Sequence, residues 1–283
     1  MAPWTWQWHP HVDVWLLVVF LEAGYLLALR FLGPLQVAPG EAAASRGQVA
    51  AFTLGVATIW VAADWPIHEL ADHYLYSVHM VQHLLLSLVA PPLLLLGTPA
   101  WLARTLLRPA LVLRIVGRLA RPLPALLLFN LVIALTHWTA VVDLAARSEM
   151  AHFSLHVALF GTALIMWMPV VSPLIELPRL PYPGQMLYLF GQSLLPTVPA
   201  SFLTFGSRPL YQVYAEAPRT FGMSAITDQR IAGLFMKIVG GLVLWSVIAV
   251  LFFRWHAQES ADGSDALQWR DVERDLARMR FSP

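Results

Sequence analysis

Apolar residues fill seven long stretches of the chain, roughly 12–32, 48–63, 75–97, 122–141, 150–169, 184–206 and 228–253, with short polar or proline-glycine junctions between them. A helix that crosses the hydrocarbon core of a bilayer needs about 20 mostly apolar residues. The pattern therefore predicts an all-α polytopic membrane protein with seven transmembrane helices. The second stretch is short at its clear core, so its helix is expected to start earlier. Pro91-Pro92 predicts a kink in the third span, and Pro196 with Pro199 predicts a break in the sixth. Such interruptions are tolerated in lipid where neighbouring helices satisfy the freed backbone groups.

Two segments do not fit the spanning pattern. Residues 101–121 are too basic to cross and too apolar for a free loop. Arg104/Arg108 and Arg114/Arg118 share faces, which predicts one or two short surface helices broken at Pro109. After the last span, Gln258 to Gly263 reads as a polar, mobile stretch. Leu267, Val272, Leu276 and Met279 then read as a final surface helix. The expected organisation is one seven-helix domain over 1–256 and a cytoplasmic tail over 257–283. No internal repeat is visible, which weighs against a transporter built from inverted repeats.

Composition supports this reading. The chain is 58% hydrophobic and only 12% charged, against about 25% charged residues in soluble domains; its mean hydropathy is +0.62. A net charge of +1 gives no case for nucleic-acid binding. Met1 to Asp13 holds no Lys or Arg, unlike the basic start of a cleaved signal peptide.

The distribution of charge sets the expected orientation, because Lys and Arg collect on the cytoplasmic side. Arg104, Arg108, Arg114, Arg118 and Arg121 lie between the third and fourth spans with no acidic residue among them. Arg254, Arg270, Arg274, Arg278 and Arg280 follow the last span, and Arg30 and Arg46 flank the junction after the first. These regions share a side only with the N-terminus outside and the C-terminus inside. The segment holding Asp64, Glu69 and Asp72 then falls outside.

On that topology, nine of the ten histidines meet one surface of the membrane. They are His9, His11, His68, His73, His79, His83, His137, His152 and His156; His256 lies elsewhere. His79 and His83 open the third span, His137 closes the fourth, and His152 and His156 open the fifth. Both i,i+4 pairs present one helix face. All five should lie within about two helical turns of the boundary, at about 1.5 Å per residue. A single interfacial histidine can sit at the headgroup level without binding anything. Five at one depth on three consecutive spans point instead to a shared metal site, since imidazole is the commonest side-chain ligand. With no cysteine in the chain, ligands must come from His, Met, Asp, Glu or backbone. Imidazole suits zinc, copper, iron and nickel, while thioethers select Cu(I). Asp64, Met80 and Glu149 lie close enough in sequence to be accessory candidates, and Asp72 precedes His79 by seven residues. Glu22 in the first span and Lys237 in the seventh are intramembrane charges and candidate partners for each other.

His79-Met80-Val81-Gln82-His83, Ala90-Pro91-Pro92-Leu93 and Leu96-Gly97-Thr98-Pro99 together resemble the signature of the CtaG-like membrane proteins. So do Thr136-His137-Trp138, His152-Phe153-Ser154-Leu155-His156, Pro209-Leu210-Tyr211-Gln212-Val213-Tyr214, Asp228-Gln229 and Ala232-Gly233-Leu234-Phe235-Met236. The resemblance runs from about Trp60 to Gly240. It implies a seven-span assembly factor for haem–copper cytochrome c oxidase in the bacterial inner membrane. It further implies a protein that binds and hands over copper without catalytic turnover, with oxidase subunits or other copper chaperones as partners. It adds Asp228 and Met236 to the accessory candidates. The competing reading is a membrane haem protein with imidazoles from two helices as axial ligands. An intramembrane hydrolase is disfavoured because no His-Glu-x-x-His motif is present.

Overall fold

The computed structural model describes residues 4–219 and 221–280, with side chains described through Ala261 and at 271–274, 276 and 277. Every regular element among the described residues is a helix, with no strand. Among the described residues six helices are long and apolar enough to cross a membrane. These are α1 (Val12–Leu35), α2 (Arg46–Ala63), α4 (Tyr76–Gly97), α9 (Glu149–Val171), α10 (Tyr182–Phe205) and the Ala225–Ala261 part of α12. The chain is a multi-pass membrane protein. Between them lie α3 (Ile67–His73), α5 (Ala100–Leu106), α6 (Ala110–Leu119), α7 (Pro122–Thr136), α8 (Thr139–Arg147) and α11 (Gln212–Glu216).

The expected fourth span is the exception. Its apolar run forms α7, only 15 residues long, bent 82° from α6. At about 1.5 Å per residue α7 falls short of a roughly 30 Å core. It counts as a seventh span only together with α6.

Local chemistry explains the helix boundaries. α2 starts at Arg46, two residues before the apolar stretch at 48, because Ser45 and Gln48 form a reciprocal capping box, with bonds of 3.1 and 2.9 Å. Pro109 separates α5 from α6, as expected. α10 breaks at Leu195 and Pro196. α12 runs through Ala225–Leu234, a π turn at Phe235–Val239 and then Gly240–Arg280 without interruption. The stretch 258–263 is therefore helical rather than a mobile break. A single glycine, Gly263, costs a helix only about 1 kcal/mol. Val272 and Leu276 are exposed, while the side chains of Leu267 and Met279 lie outside the described residues.

The kink in α4 is built to dock another helix. Residues Leu85–Val89 form a π turn directly before Pro91-Pro92. The Ser87 carbonyl would take its proton from residue 91 in an α-helix and from residue 92 in a π-helix. Both are proline and have no N–H. The indole N–H of Trp167, on α9, donates to that carbonyl at 3.0 Å. Around this bond Leu88, Phe129, Leu159, Ala163, Met166, Leu189 and Leu244 form the main core, joining α4, α7, α9, α10 and α12. Small residues let the backbones approach. A Cβ on Gly97 would meet the Phe52 backbone of α2, and one on Gly233 would lie 2.7 Å from the Ala200 carbonyl oxygen of α10.

Replacing Trp167 by Phe should leave the Ser87 carbonyl buried and unpaired, and lower stability by about 1–3 kcal/mol. Thermal unfolding in detergent checks this. Pro91→Ala restores a backbone donor and should shrink the penalty; equal losses in both backgrounds would refute the assignment.

Candidate metal centre

The site is set by how α4 begins. The carboxylate of Asp228, buried near the start of α12, accepts from Tyr76 N at 2.8 Å and Ser77 N at 3.0 Å, and also from the Ser77 hydroxyl. Free N–H groups at a helix start favour an acceptor and negative charge. The capping residue here comes from another helix. The neighbouring Gln229 accepts from Leu210 N at 2.7 Å, holding the Pro209–Tyr214 segment beside it. Tyr211 then donates to the His137 carbonyl and Tyr214 to the Ala71 carbonyl, both at 2.9 Å.

With α4 so placed, His79 and His83 lie along one face, ring centroids 4.4 Å apart. On α9, started by a hydrogen bond from Ala151 N to the Ser148 hydroxyl, His152 and His156 lie 4.2 Å apart. The pairs face each other: His79 is 5.7 Å from His152 and 5.6 Å from His156, and His83 is 5.3 Å from His156. His79, His83 and His156 each bring a ligand nitrogen within 4.8 Å of the other two. His79 Nδ1, His83 Nδ1 and His156 Nε2 are buried with no hydrogen-bond partner among the described residues. Buried polar atoms are nearly always paired. Imidazoles grouped in this way are able to serve as ligands to a cation.

These four histidines line a cavity of about 220 Å³ with Asp72, Glu149 and Tyr214. Asp72 was not among the expected ligands. It lies on α3, and its Oδ2 is 3.4 Å from His152 Nδ1 and 3.7 Å from His68 Nε2. Asp72, His79 and His152 form a second group whose ligand atoms lie within 4.8 Å of one another. The sequence signal for it was the His68/Asp72 i,i+4 spacing, which puts both on one face of a helix.

The remaining histidines divide. His68 accepts from the Gln82 amide nitrogen at 3.1 Å and sits between His11, at 4.9 Å, and His152, at 6.0 Å. Burial first, then His11 and His152, push its pKa down to about 4. His73 is exposed and lines the same cavity; His9 is exposed. His137 departs from the expected single cavity. Its Nδ1 is 2.7 Å from the Ile133 carbonyl and its Nε2 is 3.3 Å from Met80 Sδ. It lines an adjoining, mostly apolar pocket of about 50 Å³ with Met80, Met166 and Met236, and His83 lines both. The reason is that His137 closes α7, where the last turn's carbonyl captures its ring.

Two accessory candidates are committed elsewhere. Asp64 accepts from the indoles of Trp15 and Trp60, at 2.7 and 2.8 Å, and from Trp65 N, and it lines neither pocket. Asp228 is saturated by its capping bonds and also lines neither. Glu149 lines the larger cavity, and Met80 and Met236 the smaller one. Glu22 and Lys237 do not pair. Glu22 accepts from the Thr53 hydroxyl at 2.7 Å, and Lys237 Nζ lies 6.0 Å over the Phe205 ring.

Comparison with known proteins adds a family. A family model described as cytochrome c oxidase caa3 assembly factor matches residues 23–258. Two uncharacterised proteins, one from Mycobacterium bovis and one from Mycobacterium tuberculosis, are each 24% identical over 237 residues, covering 73% of this chain and 36% of theirs. The chain thus spans about a third of the length of the curated relatives it matches. No solved structure matches it.

Asp72 makes the site pH-sensitive. Burial, then the carboxylates of Glu69 and Glu149, push its pKa up to about 7. The folded protein therefore keeps a proton that an unfolded chain, with a pKa of about 3.9, releases. That contribution to stability is fully present below about pH 4 and is lost as pH rises through about 7. In chelator-treated protein the thermal midpoint should fall between about pH 4 and 7, and Asp72→Asn should flatten the fall. Identical pH profiles for the two proteins would refute the assignment.

Proposed function

The chain belongs to the cytochrome c oxidase caa3 assembly factor family, and from that premise we propose that it binds copper and delivers it to the oxidase. The proposed carrier is a seven-span protein of the bacterial inner membrane, N-terminus outside and C-terminus inside, with α6 and α7 together supplying the fourth crossing. The copper ligands are drawn from His79, His83, His152 and His156, with His137 beyond them. The ion is cargo, so the role requires no catalytic turnover. The recipients are oxidase subunits awaiting their metal, or another copper chaperone.

The observations that carry the reading are that His79, His83 and His156 each bring a ligand nitrogen within 4.8 Å of the other two, and that each holds a buried ring nitrogen with no hydrogen-bond partner among the described residues. Imidazoles at this spacing fit one ion, and Asp72 beside His152 supplies the carboxylate partner that commonly orients a ligating histidine. His11 and His68 extend the line of imidazoles away from the cluster, a route by which an ion is passed inward. A haem is less well supported. The cavity of about 220 Å³ is below the roughly 300–1,000 Å³ typical of small-molecule sites.

Changing both His79 and His83 to Ala tests the reading. The spans drive insertion, so the protein should still reach the membrane. Copper retained after purification should fall at least tenfold, and cells should accumulate oxidase lacking copper. Unchanged copper content with full oxidase activity would exclude this pair as the transfer site. The orientation is tested separately. A reporter fused after Pro283 should be active only in the cytoplasm, and its export would overturn the topology.

A further inference from the structure

We propose that the centre is two sites rather than one, and that Met80 and His137 form an inner site selective for a soft monovalent cation, Cu(I). The inference rests on the copper-binding reading above and deepens it.

The His137 ring decides the matter. Its Nδ1 lies 2.7 Å from the Ile133 carbonyl oxygen, which can only accept, so Nδ1 carries the proton. A neutral ring then has a bare lone pair on Nε2. What faces that lone pair at 3.3 Å is Met80 Sδ, another lone-pair donor with no proton. Two Lewis bases confront each other in a buried place, with Met80 1% and His137 7% exposed. The separation is shorter than the sum of a roughly 2.0 Å metal–nitrogen and a roughly 2.3 Å metal–sulfur bond. One ion beside the line of centres therefore reaches both. His83, whose Nδ1 has no hydrogen-bond partner among the described residues, lines this pocket as well as the outer cavity, its ring 5.9 Å from that of His137. It is the shared ligand across which an ion passes.

Charge and softness separate the two sites. The outer cavity carries Asp72 and Glu149, whereas no acidic residue lines the inner pocket. A divalent ion without a counter-charge is costly to bury, and its cost exceeds that of a monovalent one. Thioether with imidazole is also the donor set that selects Cu(I) over harder ions. Met236 lines the same pocket and offers a further thioether.

The test uses the full chain purified in detergent, loaded with Cu(I) under a reductant and separately with Zn(II), with X-ray absorption as the readout. Cu(I)-loaded protein should show a sulfur scatterer, and Zn(II)-loaded protein only nitrogen and oxygen. Met80→Leu, which conserves volume, should lower the sulfur signal and weaken Cu(I) binding at least tenfold while leaving Zn(II) binding unchanged. His137→Gln should weaken Cu(I) binding similarly. Copper held only by nitrogen and oxygen in the unaltered protein would overturn the inner site and leave the outer one standing. Failure to bind Cu(I) at all would overturn both this inference and the copper-carrier reading.

Discussion

The geometry of the centre depends on one buried carboxylate. Asp228 caps a helix that begins 152 residues earlier in the chain, at Tyr76. In a low-dielectric setting the free N–H groups of a helix start must be satisfied by protein, and an unpaired carboxylate there would be equally costly. The two demands meet in one contact. It fixes the height of α4 against α12, and so the height of His79 and His83. Gln229, the next residue, holds the chain at Leu210 and Tyr211 in the same way. From there Tyr211 and Tyr214 reach the carbonyls of His137 and Ala71, tying the end of α7 and the body of α3 to the same frame.

A second fixed point lies about three turns further along α4. The Pro91-Pro92 pair strips the Ser87 carbonyl of any donor in its own helix, and Trp167 of α9 fills the gap. One helix is thus incomplete without the other. Since Ser87 and His83 are four residues apart, and Trp167 and His156 eleven, this bond sets the relative register of the two histidine pairs. Neither pair would form a shared site if α4 slid by one residue, because the rings would rotate by about 100°.

Much of this was legible in the sequence. Apolar stretches gave the helices, i,i+4 spacing gave the histidine faces, and prolines gave the kink and the break. Each of those signals is local. The roles of Asp228 and Asp64 were not legible, because a carboxylate near a candidate site looks the same whether it meets a metal, a helix start or three donors around Trp15, Trp60 and Trp65. Position in the chain says nothing of which. Asp72 is inconspicuous in the sequence for the opposite reason: α3 is one short helix, too brief to announce itself by periodicity, and it folds the carboxylate back onto His152. The pairing expected of Glu22 and Lys237 failed because each found a nearer contact, Thr53 and Phe205. The length of α7 was hidden by continued hydropathy past His137, where the backbone turns at Trp138 before α8 restarts.

Burying ligands in this way has a consequence for transfer. A site open to water would keep its imidazoles hydrogen-bonded to solvent, and an ion would have to displace those partners. Here three ring nitrogens have no partner among the described residues, so an entering cation breaks no hydrogen bond within the protein to reach them. The same environment limits what can stay. Carboxylates stand only around the larger cavity, and thioethers only around the smaller one. On the proposed reading an ion moving from one to the other exchanges charge neutralisation for soft-donor bonding, with His83 in contact with both. That step discriminates by the ion's charge and softness together, and a carrier serving a copper centre in the presence of more abundant hard cations needs that discrimination more than it needs tight binding.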